Sequence, residues 1–436
     1  MSRSVVVVAA MVMSAMLPFF GDVNALIGAF GYLPVDFVMP AVLYNVTFSL
    51  RDGARSSGSI PSLRCVFHHC GCRVNGFRSS DLSRRYYLSA VRQWPRVGRY
   101  YVGPIQFVVC YGAVIGSTLL GGQSMKSIYL ITNPDGTMKL YEFIVIFGTF
   151  MLILVQIPSF HSLRHINLIS LVLCLSYSAC ATAGSIYAGH SSKAPQRDYS
   201  ISGSGPHRVF GVFNAVAIIA ATFGNGIIPE IQATVAAPVK GKMFKGLCLC
   251  YMVVCCTFFS VAVSGYWAFG NGAAGTVVAN FLVDGRPIIP KRFLILTNLF
   301  TLLQLLAVAV VYLQPTNEVL EGKFADPKSD QYSARNVVPR LMLRSLAVAT
   351  ATVISAMLPF FGDINAVLGA FGFLPLDFVM PAILYNVTFR PPRRNVIYWV
   401  NSMLAIVFTV FAVVASVAAV RQIALDAKTY KLFANV

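Results

Sequence analysis

From Tyr101 onward the chain is a ladder of apolar runs, at 102–130, 142–158, 164–188, 209–236, 246–269, 292–314, 339–358, 363–387 and 396–420. Each is long enough to cross about 30 Å of hydrocarbon, with 142–158 at the short limit. That pattern leaves few folds open. A bilayer core offers no water to peptide groups, so a spanning segment must satisfy its backbone as a helix or close into a barrel. Continuous apolar runs of this length are helices. Two further runs, Ser4–Phe20 and Asp22–Thr47, stand in front of the ladder, so the sequence predicts an all-α polytopic membrane protein of about eleven transmembrane helices.

Composition closes the soluble alternatives. A length of 436 residues would suit two or three soluble domains, but 56% apolar residues, 11% charged residues and a mean hydropathy of +0.69 exclude them. A net charge of +18 in a soluble chain would point to nucleic acid; here the Lys and Arg residues lie in loops between runs, where they set topology, and no nucleic-acid partner is expected. Of the ten cysteines, seven (Cys110, Cys174, Cys180, Cys248, Cys250, Cys255 and Cys256) fall inside apolar runs and read as small packing residues.

A repeat divides the chain. SAMLPFFGDVNALIGAFGYLPVDFVMPAVLYNVTF at 14–48 returns at 355–389 with six mild differences over 35 positions, and the wider copies are Arg3–Phe48 and Arg344–Phe389. Arg3 and the apolar run behind it imitate a signal peptide, but a segment reused late in the chain as a helix pair is not a targeting sequence. Such near-identity marks a recent duplication, or a gene model joining one tandem copy to the next. Residues 49–100 change character, with ten arginines between Ser49 and Arg99 and no sustained apolar period; they read as a disordered cytoplasmic linker. Cys65–Cys72 within it holds three thiols and two imidazoles, yet no second half-site completes a zinc finger. The expected organisation is the duplicated pair 1–48, the linker 49–100, a transmembrane domain 101–425 and a tail 426–436.

Orientation follows from basic loops. With the N-terminus, the linker, 159–163, 237–245, 315–338 and 388–395 inside, and Arg164, Arg340 and Arg344 as flanking charges, 23 of 34 basic residues are cytoplasmic. The sequons at Asn45 and Asn386 then lie at inner ends of spans and stay unmodified.

The 209–236 run is broken in its middle by Thr222, Gly224, Asn225, Gly226 and Pro229, followed by Glu230. Proline and glycine end a helix there, and the bare backbone needs protein or a water-filled cavity around it. Discontinuous helices of this kind hold charged substrate groups and coupling ions in secondary transporters; a simple kink is the plainer alternative. Intramembrane acids are costly, which singles out Glu230 and Asp377, the latter between Pro375 and Pro381. Glu230 also suits a gate, and Asp377 a structural acid bonded to a neighbouring helix. Thr297, Asn298, Thr301 and Gln304 form a polar stripe able to hold an ion or to bridge helices. Gly112, Gly116, Gly121 and Gly122 accompany Gln106 in the first run after the linker. His161 and His165 read as membrane-surface anchors. No Walker loop, paired metal-site histidines or nucleophile elbow is present, so neither an enzyme nor a cofactor is expected.

Taken in order, YVGPIQFVVCYGAVIGSTLLGGQSMKSIYLI, IPSFHSLRHINLISLVLCLSYS, FGNGIIPEIQATVAAPVKGKMFKG and SGYWAFGN resemble the plant GABA transporter group of the amino acid/auxin permeases; YLQPTNEVLE and GAFGFLPLDF extend the resemblance over about 100–425. It implies a LeuT-like fold of two inverted five-helix repeats plus one helix, and proton-driven uptake of GABA or other amino acids at the plasma membrane. Thr222, Phe223, Gly224, Asn225 and Gly226 then inherit the substrate position on the sixth span, with Gln106 and Tyr111 as third-span candidates. Thr297, Asn298 and Thr301 fall near the coupling-ion position, and Asp377 and Glu230 are candidates for proton coupling. The chain departs from the pattern at its front, where a copy of the ninth and tenth spans replaces the family's broken first span and its second. A non-transporting paralogue or a mis-joined gene product is therefore the alternative to an active transporter.

Overall fold

The structure, a computed structural model, describes residues 101–156, 164–192, 196–199, 205–224, 242–283, 285–321, 333–358 and 360–426. The duplicated front pair, the linker and Cys65–Cys72 lie outside them, as do the side chains of His161 and His165. In chain order the helices are α1 (Gly103–Thr132), α2 (Leu140–Leu154), α3 (Arg164–His190), α4 (Pro206–Phe223), α5 (Lys242–Phe269), α6 (Lys291–Glu321), α7 (Ala334–Met357) and α8 (Phe361–Val367). A π-helical segment (Leu368–Val379), α9 (Met380–Phe389) and α10 (Val396–Asp426) follow. Eight helical stretches are long and apolar enough to span, and α2 is a shorter apolar helix, so all nine runs from 102 onward find a helix among the described residues. Boundaries shift locally: α6 runs on through Pro315 to Glu321, and the last turn of α2 falls short of 158.

α1 is the axis of the bundle because it is apolar on every side and so can be surrounded. One of its faces joins a core with α4, the π segment and α10 (Val109, Ala217, Phe373, Phe408, Ala415). Another joins α2, α6 and α7 (Val114, Phe147, Leu313, Val348). With little hydrophobic drive between helices in lipid, close approach at small residues supplies the packing. The glycines of α1 serve this end: Leu368 fills the space at Gly112, Phe361 at Gly116, Phe147 at Gly121 and Ile144 at Gly122. Outward faces carry large apolar residues, as α10 does with Trp399, Met403, Ile406 and Val413.

At one end, short 3-10 turns (Gly270–Gly272, Val277–Phe281) and a two-stranded hairpin, β1 (Leu282–Val283) and β2 (Arg286–Pro287), cap the bundle over Ile131, Phe281 and Leu294. Residues 196–199 strap this cap to α3 and α5. The Tyr199 hydroxyl donates to the Trp267 carbonyl at 2.8 Å, and the Arg197 guanidinium lies 4.9 Å over the Trp267 ring.

Arg344 is more than the flanking inner charge that its sequence position implied. It is 3% exposed, and Nη1 donates to the carbonyl of Val155 at the end of α2 at 2.9 Å. A cation at the carbonyl end of a helix is favourable, and it ties α7 to α2. Arg344→Met, which leaves that carbonyl unpaired, is expected to lower stability by about 1–3 kcal/mol. Thermal unfolding of detergent-purified protein checks this against the exposed Arg393→Met; equal melting temperatures would remove the role.

Asn386 explains its own sequon. Its Nδ2 donates to the Tyr398 carbonyl at 3.1 Å and to Ser402 Oγ at 3.2 Å, while Oδ1 accepts from Asn401 Nδ2 at 3.2 Å. The amide is engaged on both atoms and clasps α9 to α10. Asn386→Leu should destabilise this hairpin by roughly 1 kcal/mol, the scale of a polar contact between spans. Endoglycosidase should leave a peptide containing Asn386 unchanged in mass; a glycan there would contradict the clasp.

Candidate substrate site

The fourth helix stops where the sequence breaks it. Gly224 leaves the helix with ψ 145°, and its N–H makes the closing bond to the Ala220 carbonyl at 2.8 Å. Asn225, Gly226, Pro229 and Glu230 lie outside the described residues. Thr222 Oγ1 donates back to the Ile218 carbonyl at 2.8 Å, and the buried Phe223 ring meets Phe258 edge-on at 5.4 Å. Neither side chain of α4's last turn is therefore directed by its bonding toward a ligand.

What stands against Gly224 is the π segment. A Cβ at this glycine would press on the Phe373 ring, reach the Ala220 carbonyl at 2.5 Å and come within 2.8 Å of Asp377 Oδ2. Asp377 is thus at the helix break itself. Two further glycines bring it there. Gly369 lets the π segment touch the carbonyl of Ala217 on α4, and Gly372 lets it touch Val109 on α1. The π register, with the Met380 N–H reaching back to Pro375, is the kind of irregular turn found at functional sites.

The electrostatics of this junction have a definite sign. The last turn of a helix leaves carbonyls without intrahelical partners and carries partial negative charge. Asp377 adds a carboxylate to that end. Two negative features side by side favour a positive occupant, a proton or an ammonium group. The half of the broken helix described here is its carbonyl end.

The other candidates divide. Gln106 is buried one turn before Val109, which packs on Gly372, so it belongs to the same wall. Tyr111 turns elsewhere: its hydroxyl donates to the Ala347 carbonyl at 2.9 Å and lies 2.5 Å from Thr350 Oγ1, both on α7. Thr297, Asn298 and Thr301 bond the carbonyls of Phe293, Leu294 and Thr297 of their own helix. These bonds run within α6, and none of them reaches the helix break. Gln304 accepts from Ser170 Oγ at 2.9 Å and so bridges α6 to α3. The sequence does not single out Phe373. Phe373 precedes Asp377 by one turn, a spacing that signals a shared face. Among the described residues no cluster of His, Cys, Asp or Glu could hold a metal.

Comparison with known proteins adds the identity of the scaffold. Residues 59–424 match the family model described as transmembrane amino acid transporter protein. The chain belongs to that family. Its match begins inside the stretch read as a linker. The chain is 60% identical over 371 residues to GABA transporter 1 of Arabidopsis thaliana, covering 85% of this chain and 81% of that one. It is also 31% identical to lysine histidine transporter-like 6 (95% and 92% covered) and 29% identical to lysine histidine transporter-like 1 (78% and 74% covered), both from the same plant. The chain is therefore a multi-pass amino acid transporter family member, not an enzyme.

Proposed function

We propose that this chain is a proton-coupled carrier of GABA and other neutral amino acids, placed in the plasma membrane with its N-terminus in the cytoplasm and built on the LeuT-like plan of inverted repeats. The carrying observation is the approach of Asp377 Oδ2 to within 2.8 Å of a Cβ position at Gly224. In this reading the carbonyl end of α4 receives the substrate amine, Asp377 takes the proton, and the N–H groups beyond the break at Asn225 and Gly226 receive the carboxylate. Glu230 serves as an inner gate or alternative proton carrier. Thr297, Asn298 and Thr301 are kept as an ion-coupling site separate from Asp377. The similarity to a GABA transporter supports the substrate class.

A second reading, a family scaffold with little transport of its own, is favoured by the repeat at the front, whose first apolar run (4–20) has no Gly-rich break at its centre. Both readings meet one assay. Purified chain in liposomes with an acid-outside gradient should take up radiolabelled GABA above the protein-free level, and a protonophore should abolish that uptake. Gradient-independent uptake would defeat the proton coupling.

A further inference from the structure

The first turns of α5 stand apart from the bundle. Among the eight described spanning stretches, that of α5 is 11% buried, against 22–61% in the other seven. Cys248, Leu249, Cys250 and Met252 are all exposed, and a Cβ built at Gly246 meets nothing within 4 Å. This part of the helix is therefore open around most of its circumference. Depth follows from length. The 28 residues of α5 extend about 42 Å at 1.5 Å per residue, and a hydrocarbon core of about 30 Å leaves about 6 Å of helix beyond each boundary. Lys242 and Lys245 occupy that overhang at the start of the helix, Cys248 and Cys250 fall within about one turn of the boundary, and Cys256 falls near the midplane. Lys245, Cys248, Met252 and Cys256 follow one another at steps of three and four residues, so they share one stripe. Val263 continues it, 50% exposed.

We propose that Cys248 and Cys250 are S-acylation sites, each taking a long-chain fatty acyl group in thioester linkage. Thiols at the membrane boundary are the acceptors of this lipid, and here both are open to an acyltransferase on one side and to lipid on the other. The cysteine thiolate attacks the carbonyl carbon of an acyl-coenzyme A, or of the acyl-enzyme formed from it. The new C–S bond replaces the donor's, and the donor's sulfur leaves as a thiol with the proton that the cysteine gave up. No oxidant or reductant is needed. The acyl chain of Cys248 then runs along the open stripe of Met252, Cys256 and Val263. It fastens to the leaflet the start of the helix that follows the broken α4 in the chain. The inference rests on the proposed orientation, which puts 237–245 in the cytoplasm beside the acyl-coenzyme A pool, and not on transport.

Depth makes the test specific, because Cys256 is exposed as well but lies about 12 Å deeper than Cys248. The full chain is expressed in plant cells, free thiols are blocked, thioesters are cleaved with neutral hydroxylamine, and the released thiols are tagged and assigned by peptide mass spectrometry. A hydroxylamine-dependent tag is expected on Cys248 and Cys250 and none on Cys256. Cys248→Ser combined with Cys250→Ser should abolish incorporation of an alkyne-bearing palmitate, while Cys255→Ser combined with Cys256→Ser should leave it unchanged. In the same cells an impermeant amine reagent should modify Lys242 and Lys245 only after permeabilisation. Lysines protected in sealed cells without any tag on Cys248 or Cys250 would overturn the acylation alone. Lysines modified from outside would overturn it together with the orientation. A tag on Cys256 equal to that on Cys248 would also contradict it, since reaction would then ignore the boundary. Should the paired serine variant fail to reach the membrane, the peptide assignment on the unaltered chain decides.

Discussion

Asp377→Asn should lower gradient-driven uptake by about 100-fold, equivalent to about 2.7 kcal/mol, and flatten its dependence on external pH. In the parent chain uptake should fall as external pH rises, because fewer protons reach the acid from outside. Asparagine keeps the shape and one acceptor oxygen of the carboxylate but cannot titrate. Substrate binding, followed by equilibrium displacement of labelled ligand, should therefore weaken by no more than about tenfold. The same change at Asp36, its twin in the front copy, should be tolerated. An unaltered pH profile in the Asp377 variant would move the proton to Glu230.

Gly224→Leu is expected to abolish uptake while leaving the protein at the cell surface. The first atom of the side chain already meets the Phe373 ring, the Ala220 carbonyl at 2.5 Å and Asp377 Oδ2 at 2.8 Å. The rest must enter the space at the helix end, where a substrate amine would approach. Gly224→Ala should fall between the two, since only that first contact is made. Uptake measured beside surface biotinylation separates loss of transport from loss of folding. Full activity in the leucine variant would remove Gly224 from the site.

Much of the fold was legible in the sequence because lipid imposes a simple rule. Runs long enough to span must be helices, and the nine runs after the linker find nine helices. The break in the fourth was legible for the same reason, since glycine and proline at its middle have a local effect that neighbours do not override: α4 ends at Phe223. Contacts between helices were less readable. The glycines of α1 stand beside Gln106 in the sequence, which does not say that they receive Leu368, Phe361, Phe147 and Ile144. Tyr111 and the Thr297–Thr301 stripe have the right residue types, but a hydroxyl in a membrane helix readily bonds its own or a neighbouring backbone, and periodicity does not say which helix it will face. Asp377 stood out because an acid in a span is costly wherever it points. Its approach to Gly224 comes only through tertiary packing.

The most direct test of the account pairs the chain with its plant relative. Residues 1–99 are replaced by the N-terminal segment of the Arabidopsis GABA transporter 1, and radiolabelled GABA uptake is measured in liposomes with an acid-outside gradient, beside the unmodified chain and the Asp377→Asn form of the hybrid. Slow uptake is expected of the unmodified chain, at least about tenfold faster gradient-driven uptake of the hybrid, and loss of that gain with Asp377→Asn. Gradient-driven uptake by the Asp377→Asn hybrid equal to that of its parent would contradict the assignment of the proton to the broken-helix site.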